Sequence, residues 1–382
     1  MPMLLSSTNV SDYLAANALC SDRDKDRLHL EPVAAKNFNL LVTFPDGSKL
    51  LVKQERRDRA GKTAGEFQQE WRMQQFVQQF PELQPLKSML PAIAHFDSEN
   101  SILICRYLDD CEDLARFYAR ENHFPAEIGE AIGTLLGTFH RTTFNRPDYQ
   151  QFFSQNPSPE TVRALIQGLE RITPEVFGVV PMEGLKFFAL YQRYDSLGVA
   201  IASVGEAFAP SCVTHNDLKL NNLLLHNHWE DAPAEQVRAI DWERSSWGDP
   251  AFDLGTLIAS YLQIWLNSLV ISNALSIEES LRLATTPLEQ LQPSIAALVR
   301  GYLQTFPEIF TSRPDFLIRT VQLAGFVLIQ QIQATIQYQK SFGNMGICML
   351  QVAKSLLCRP EQAMPTVFGQ EFVRDIALSD RN

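Results

Sequence analysis

Strand-like sequence is confined to the first hundred residues of this chain and to one short island between residues 215 and 243. That uneven distribution limits the possible folds more than any other feature. Between Leu28 and Gln54, two apolar runs, NLLVTF and KLLVKQ, flank Pro45-Asp46-Gly47-Ser48. Asp-Gly between such runs is a strong hairpin signal. The segment KTAGEFQQEWRMQQFVQQF then sets Phe67, Trp71, Phe76 and Phe80 on one helical face, with Pro81 as a stop. SILICRYL, Ser101 to Leu108, reads as a buried strand and is followed by the acidic run DDCED. A further helix is expected around Val10 to Leu19.

Beyond this point the periodicity turns helical. EIGEAIGTLLGTFHRTTF carries a helical pattern, as do most of residues 150 to 210 and 255 to 358. The island between them holds the loop HNDLKLNN, the strand-like LLLH and the run VRAIDWE. A sheet-rich start and a mainly helical remainder imply an α+β protein of two lobes. The expected division is a small β-rich N-lobe over 1–107 and a larger helical C-lobe over 108–382, with the boundary near Tyr107 to Asp110. A cleft between lobes is a natural ligand site.

Composition excludes several function classes. The formal net charge is −11, so no basic nucleic-acid surface is suggested, and a cationic or neutral small substrate suits the balance slightly better than an anionic one. The six cysteines are scattered without CxxC pairs or Cys/His spacing, which points to reduced thiols in a cytoplasmic protein and against a zinc site. The N-terminus lacks the pattern of a signal peptide. The two most apolar stretches carry Asp253 and Arg319 and read as core helices, with no membrane span expected.

The chemistry-bearing residues come in a fixed order. Lys53 ends a hairpin strand, and a helix carrying Glu66 and Glu70 follows. Much later comes His215-x-Asp217-x-Lys219-x-x-Asn222, then an apolar run ending in Asp241, then GDPAFD with Asp249 and Asp253. That order is the set of parts used by protein kinases. Phosphoryl transfer needs the triphosphate charge neutralised and the acceptor hydroxyl aimed at the γ-phosphorus. A strand lysine can grip phosphates, and a helix glutamate can hold that lysine. An amide oxygen and a carboxylate are hard donors suited to Mg²⁺. A loop carboxylate can orient the hydroxyl and take its proton, while a nearby lysine neutralises charge on the moving phosphoryl group.

HNDLKLNNLLL and IDWERSSWGDPAFDLG resemble the catalytic and metal-binding segments of the aminoglycoside phosphotransferase/choline kinase family, a small-molecule branch of the protein-kinase-like fold. The resemblance runs from about Leu28 to Ser260. It implies Asp217 as catalytic base, Asn222 and Asp241 as Mg²⁺ ligands, Lys53 on the phosphates of ATP or GTP, and Glu70 as its partner. Glu66, one turn away on the same face, is the alternative partner. Asp253 would brace the loop backbone, His215 would be structural, and Lys219 would act on the γ-phosphate. Lys219 departs from the histidine frequent in this branch and is nearer the protein-kinase form. The base of the nucleotide would lie against the backbone at Arg106, Tyr107 and Leu108.

The implied activity is transfer of a γ-phosphate to a hydroxyl of a small molecule. Aminoglycosides, choline or ethanolamine, other amino alcohols, sugars and macrolides are all open as acceptors. Only eleven residues separate Asp241 from Asp253, too few for the segment on which protein kinases dock a peptide. The alternative is a catalytically silent kinase-like protein that binds nucleotide or a regulatory partner, and the glycine-free phosphate loop VAAKNFN, Val33 to Asn39, keeps it open. Trp242, Trp247 and Trp265 are read as packing residues, with an aromatic cage as their other use. His140 is read as a helix-end packing residue, Asp249 as a turn former, and Asn216 as a harmless replacement for glycine or arginine. Oligomeric state is not readable.

Overall fold

The computed structural model describes residues 3–155, 162–170, 180–231, 236–270, 275 and 277–379. Parts of the helical stretches expected over 150–210 and 255–358, namely 156–161, 171–179, 271–274 and 276, lie outside the described residues. The chain forms two compact units: Met1–Glu112 with Leu224–Ser245, and Asp113–Leu223 with Ser246–Asn382.

The first unit is built on an antiparallel sheet of five strands: β1 (His29–Pro32), β2 (Phe38–Thr43), β3 (Lys49–Gln54), β4 (Ile93–Asp97) and β5 (Ile102–Arg106), in the order β1-β2-β3-β5-β4. Alternation along each strand sorts its side chains. Val52 packs on one face with Leu40, Val42, Ile102 and Ile104, against helix α1 (Val10–Ala16). Lys53, one residue on, points to the other face. There Leu103 and Cys105 pack with Phe67 of helix α2 (Glu66–Gln79).

Helix α2 begins after Gly65, which takes a left-handed φ of 79°. Its first amide, Glu66 N–H, donates to Glu55 Oε1 at 2.8 Å, placing a carboxylate at the positive end of the helix. The buried face is wider than the aromatic spacing alone suggests: it includes Glu70, Met73 and Val77, while Phe80 lies just past the helix in extended backbone. Cys111–Asp113 (β6), within the acidic run DDCED, is a strand. It pairs with β8 (Leu223–His226), which pairs in turn with β9 (Val237–Ala239).

The second unit is helical. After β6 come α3 (Leu114–Glu121), α4 (Ala126–Thr143), α5 (Pro147–Ser154), α6 (Val162–Glu170), α7 (Met182–Tyr191) and α8 (Asp195–Ala207). Beyond the island lie α9 (Pro250–Asn267), α10 (Ile277–Arg282), α11 (Leu288–Thr305), α12 (Glu308–Ser312), α13 (Phe316–Gln339), α14 (Asn344–Cys358), α15 (Pro360–Phe368) and α16 (Gln370–Ser379). Helices α4 and α11 cross closely because Gly133 meets the backbone: a Cβ there would sit 2.0 Å from the Leu298 carbonyl oxygen.

Two short strands missing from the sequence reading, β7 (Cys212–Thr214) and β10 (Ser246–Gly248), pair antiparallel with Thr214 opposite Ser246. They clamp the two ends of the island. Helix α9 is buried on every side from Pro250 to Leu262, which explains an apolar run without period. No helix among the described residues is long and apolar enough to cross a membrane.

Candidate active site

In the second unit, β7 delivers the chain to His215 and α9 meets it from beneath. Asp253, in the first turn of α9, is fully buried. Its Oδ2 accepts the His215 N–H at 2.7 Å and its Oδ1 the Asn216 N–H at 2.8 Å. His140 Nε2 lies 3.3 Å from Asp253 Oδ2, and His140 Nδ1 lies 3.0 Å from Tyr302 Oη. His140 is therefore a buried strut behind the loop.

Asn216 takes a left-handed φ of 64°, a conformation asparagine tolerates better than most residues. Its Oδ1 accepts the Thr214 hydroxyl at 2.9 Å and its Nδ2 donates to Ser246 Oγ at 2.8 Å. Asparagine at this position is thus structural, a role that the sequence reading had passed over. The Asp217 N–H donates to His215 Nδ1 at 3.3 Å. Asp217 Oδ1 pairs with Lys219 Nζ at 2.7 Å. Asn222, nearly buried, donates from Nδ2 to the Asp217 carbonyl at 2.8 Å. That bond fixes which way the amide points and leaves Oδ1 as its acceptor atom. Asn221 Nδ2 approaches this oxygen at 3.3 Å.

In the first unit, strand parity brings Lys53 beside α2. Its Nζ lies 3.9 Å from Glu70 Oε2 and donates to Asp241 Oδ1 at 3.1 Å. Glu66 is engaged elsewhere, by Lys36 and by Asn37 Nδ2 at 3.2 Å. Burial acts to lower the Lys53 pKa, but the carboxylates of Glu70 and Asp241 outweigh it and hold the ammonium well above the ordinary lysine range. Burial raises the Glu70 carboxyl, Lys53 pulls it back only in part, and Asp241 adds to the rise. Both Glu70 carboxylate oxygens are buried without a hydrogen bond. Such groups are rare in folded proteins and commonly mark working sites.

Asp241 follows β9 at a left-handed φ of 60° and is 39 % exposed at the side chain. Trp242 beside it is buried, with Nε1 donating to the Ala239 carbonyl at 3.1 Å, so it is a packing residue. Glu243, two residues on, had no role in the sequence reading. Burial first, then the neighbouring carboxylates of Glu66, Asp241 and Glu70, push its carboxyl up to about 7. The only signal for it in the sequence was its spacing from Asp241.

Between the ordinary glutamate value and about 7, folded Glu243 holds more protons than the unfolded chain does, so the group favours the folded state at low pH and opposes it as pH rises. Glu243→Gln is expected to unfold at a higher denaturant midpoint than wild type at pH 8 and to show little gain at pH 5. Equal gains at both pH values would remove the charge as the cause.

At the end of β5, the Arg106 N–H donates to the Ala92 carbonyl at 2.9 Å and the Tyr107 N–H to the Lys49 carbonyl at 3.0 Å. The Leu108 N–H has no such partner among the described residues. Asp109 pairs with Lys49, and Asp110 lies 3.4 Å from His226 Nε2. Asp249 caps α9 by accepting the Ala251 N–H at 3.0 Å, and binds Arg313 Nη1 at 2.5 Å. Asp249 is thus committed to holding helices together.

The family model described as the phosphotransferase enzyme family (APH) matches residues 30–275, well over half of the chain. The chain belongs to the phosphotransferase enzyme family. Among solved structures, this family member is similar to an ethanolamine kinase of Plasmodium vivax at 13% identity and a TM-score of 0.52, covering 92% of this chain and 89% of that one. It is also similar to a choline/ethanolamine kinase family protein from Mesorhizobium loti, at 15% identity and a TM-score of 0.47, covering 95% and 99%. A streptomycin–ATP–APH(2")-IIa ternary complex aligns at 14% identity and a TM-score of 0.48, covering 93% and 99%. The likeness to the Plasmodium vivax structure shows the fold alone, a kinase-like fold with a β-sheet N-terminal region and a larger helical part. No curated protein matches the sequence significantly.

Proposed function

We propose that this phosphotransferase moves the γ-phosphoryl group of ATP or GTP to a hydroxyl of a small molecule. The observation that carries the reading is Lys53, a nearly buried cation held between Glu70 and Asp241, with Glu70 left without hydrogen bonds. A lysine kept charged and aimed by two acids is what a phosphate grip requires. The assignment gives the triphosphate to Lys53, the base contact to the free amide of Leu108 with Arg106 and Tyr107 beside it, and the acceptor hydroxyl to Asp217.

Asn222 Oδ1 and the Asp241 carboxylate are hard oxygen donors, a set that suits Mg²⁺, which retains waters and binds through few protein ligands plus phosphates. When bound, Mg²⁺ neutralises phosphate charge. In the transfer, the acceptor oxygen forms a bond to the γ-phosphorus as the bond from that phosphorus to the β–γ bridging oxygen breaks. The hydroxyl proton goes to Asp217, and the nucleoside diphosphate leaves with the bridging oxygen. Lys219, paired to Asp217, keeps the carboxylate oriented and adds positive charge beside the moving group.

Turnover of ATP and GTP with Mg²⁺ across a panel of small alcohols, amino alcohols and sugars tests this reading. Lys53→Met is expected to weaken nucleotide binding and to lower kcat about 100-fold or more, in line with electrostatic stabilisers of this kind. A wild-type protein that neither binds Mg-nucleotide nor consumes it would sink the proposal. Binding without transfer to any acceptor, unaffected by substitution of Asp217, would favour a silent regulatory protein.

A further inference from the structure

Two cavities in the second unit carry more information about the acceptor than the family resemblance does. The first, of about 230 Å³, opens beside the candidate base. Lys219 and Asn221 of the loop line one side, Tyr118 of α3 another, and Ser260, Gln263 and Asn267 of α9 the rest. Positions 260, 263 and 267 recur at helical spacing, so they form one stripe about 10 Å long on α9. The second cavity, of about 660 Å³, begins at the same Asn267 and is bordered by Gln331, Thr335 and Gln339 of α13, with Phe342 and Asn344 beyond. Asn267 borders both, so a ligand reaching from Lys219 past Asn267 would follow one and then the other; Lys219 Nζ is 2.7 Å from Asp217 Oδ1.

Along that path the lining mixes apolar and neutral polar side chains. No aspartate or glutamate borders either cavity among the described residues, and the one charged side chain is Lys219, itself a cation. Trp265 borders a different cavity, with Arg359 and Leu356, so no tryptophan cage faces the path. An ammonium drawn into it would meet no opposite charge on the lining. The amides behave differently. Gln263, Asn267, Gln331 and Gln339 make no side-chain hydrogen bonds within the chain among the described residues, and each offers donors and acceptors together. Hydroxyl groups need that pairing. Phe342 and Ile264 add apolar surface for the carbon faces of a ring.

We infer that the acceptor is an uncharged, hydroxyl-rich molecule of the sugar class, larger than a single small alcohol, that lies along α9 from Asn221 to Gln339. The inference rests on Asp217 serving as the base of the proposed transfer. One hydroxyl next to Lys219 receives the phosphoryl group and gives its proton to Asp217, while the remaining hydroxyls bond to the amide stripe. The overall negative charge of the chain would favour cations at long range, but the local lining offers a cation no acidic partner.

The test measures transfer of radiolabelled γ-phosphate from ATP to maltose and maltotriose as neutral probes, and to choline and kanamycin as cationic ones. Nucleotide binding is measured separately by calorimetry. The expected result is a kcat/KM at least tenfold higher for maltotriose than for either cation. Gln331→Leu with Gln339→Leu is expected to raise the maltotriose KM about tenfold, with the KM for ATP held, and Thr335→Val gives a second, smaller change at the same wall. Preference for choline or kanamycin overturns the inference and leaves the phosphotransferase reading standing. So does a maltotriose KM untouched by the paired substitution. Mg-ATP bound with no neutral probe phosphorylated also overturns it, whereas loss of nucleotide binding itself would bring down the functional reading as well.

Discussion

Asp217→Asn is expected to lower kcat by about 10²–10⁴-fold, the usual contribution of a positioned general base, while nucleotide binding and the unfolding midpoint stay near wild type. The side chains have nearly the same shape, so the Asp217 main chain keeps its bonds to His215 and Asn222. What disappears is the ability to accept the hydroxyl proton and the charge opposite Lys219. Residual turnover should survive, because gripping the triphosphate does not depend on this carboxylate. Rapid-quench measurement of a single turnover separates the chemical step from product release. An unchanged single-turnover rate would remove Asp217 from the reaction and reassign the loop to structure.

Asp253→Ala should have the largest structural effect of any single change near the loop. The carboxylate takes the amides of His215 and Asn216 and faces His140, all buried or nearly so. Removing it strands two donors and an imidazole nitrogen away from water, at about 1–3 kcal/mol for each unsatisfied group. A loss of about 3–5 kcal/mol is expected, read as a lower denaturant midpoint, together with loss of turnover. Asp253→Asn keeps one accepting oxygen and should fall between wild type and alanine in both readouts. An alanine variant with the wild-type midpoint would show that the network behind the loop contributes nothing.

Much of the site follows from local rules. Period-two alternation in KLLVKQ sends Val52 into the core beside α1 and Lys53 to the opposite face, so the lysine's direction can be read from its neighbour. The order of lysine strand, glutamate helix, polar loop and acid-tipped run identifies the family without any distance. Other features could not be read this way. Glu66 and Glu70 lie on one face of α2, and sequence spacing left both available to Lys53. Their roles separate because the first turn of α2 meets Lys36 and Asn37, whereas the second turn is buried against the sheet. Asn216 looked interchangeable because its worth depends on a positive φ and on Ser246, thirty residues away.

The sequence by itself therefore determined the two-part architecture, the identity of the family and the set of side chains proposed for phosphoryl transfer. Those properties rest on periodicity and on residue order, which the chain carries locally. Only the tertiary structure decided which glutamate faces Lys53, how Asp253 and His140 hold the loop, and what lines the path leading from Lys219. The side chains in that path come from α3, the loop, α9 and α13, segments more than two hundred residues apart at their extremes. Their shared lack of negative charge exists only once packing brings them to the same wall.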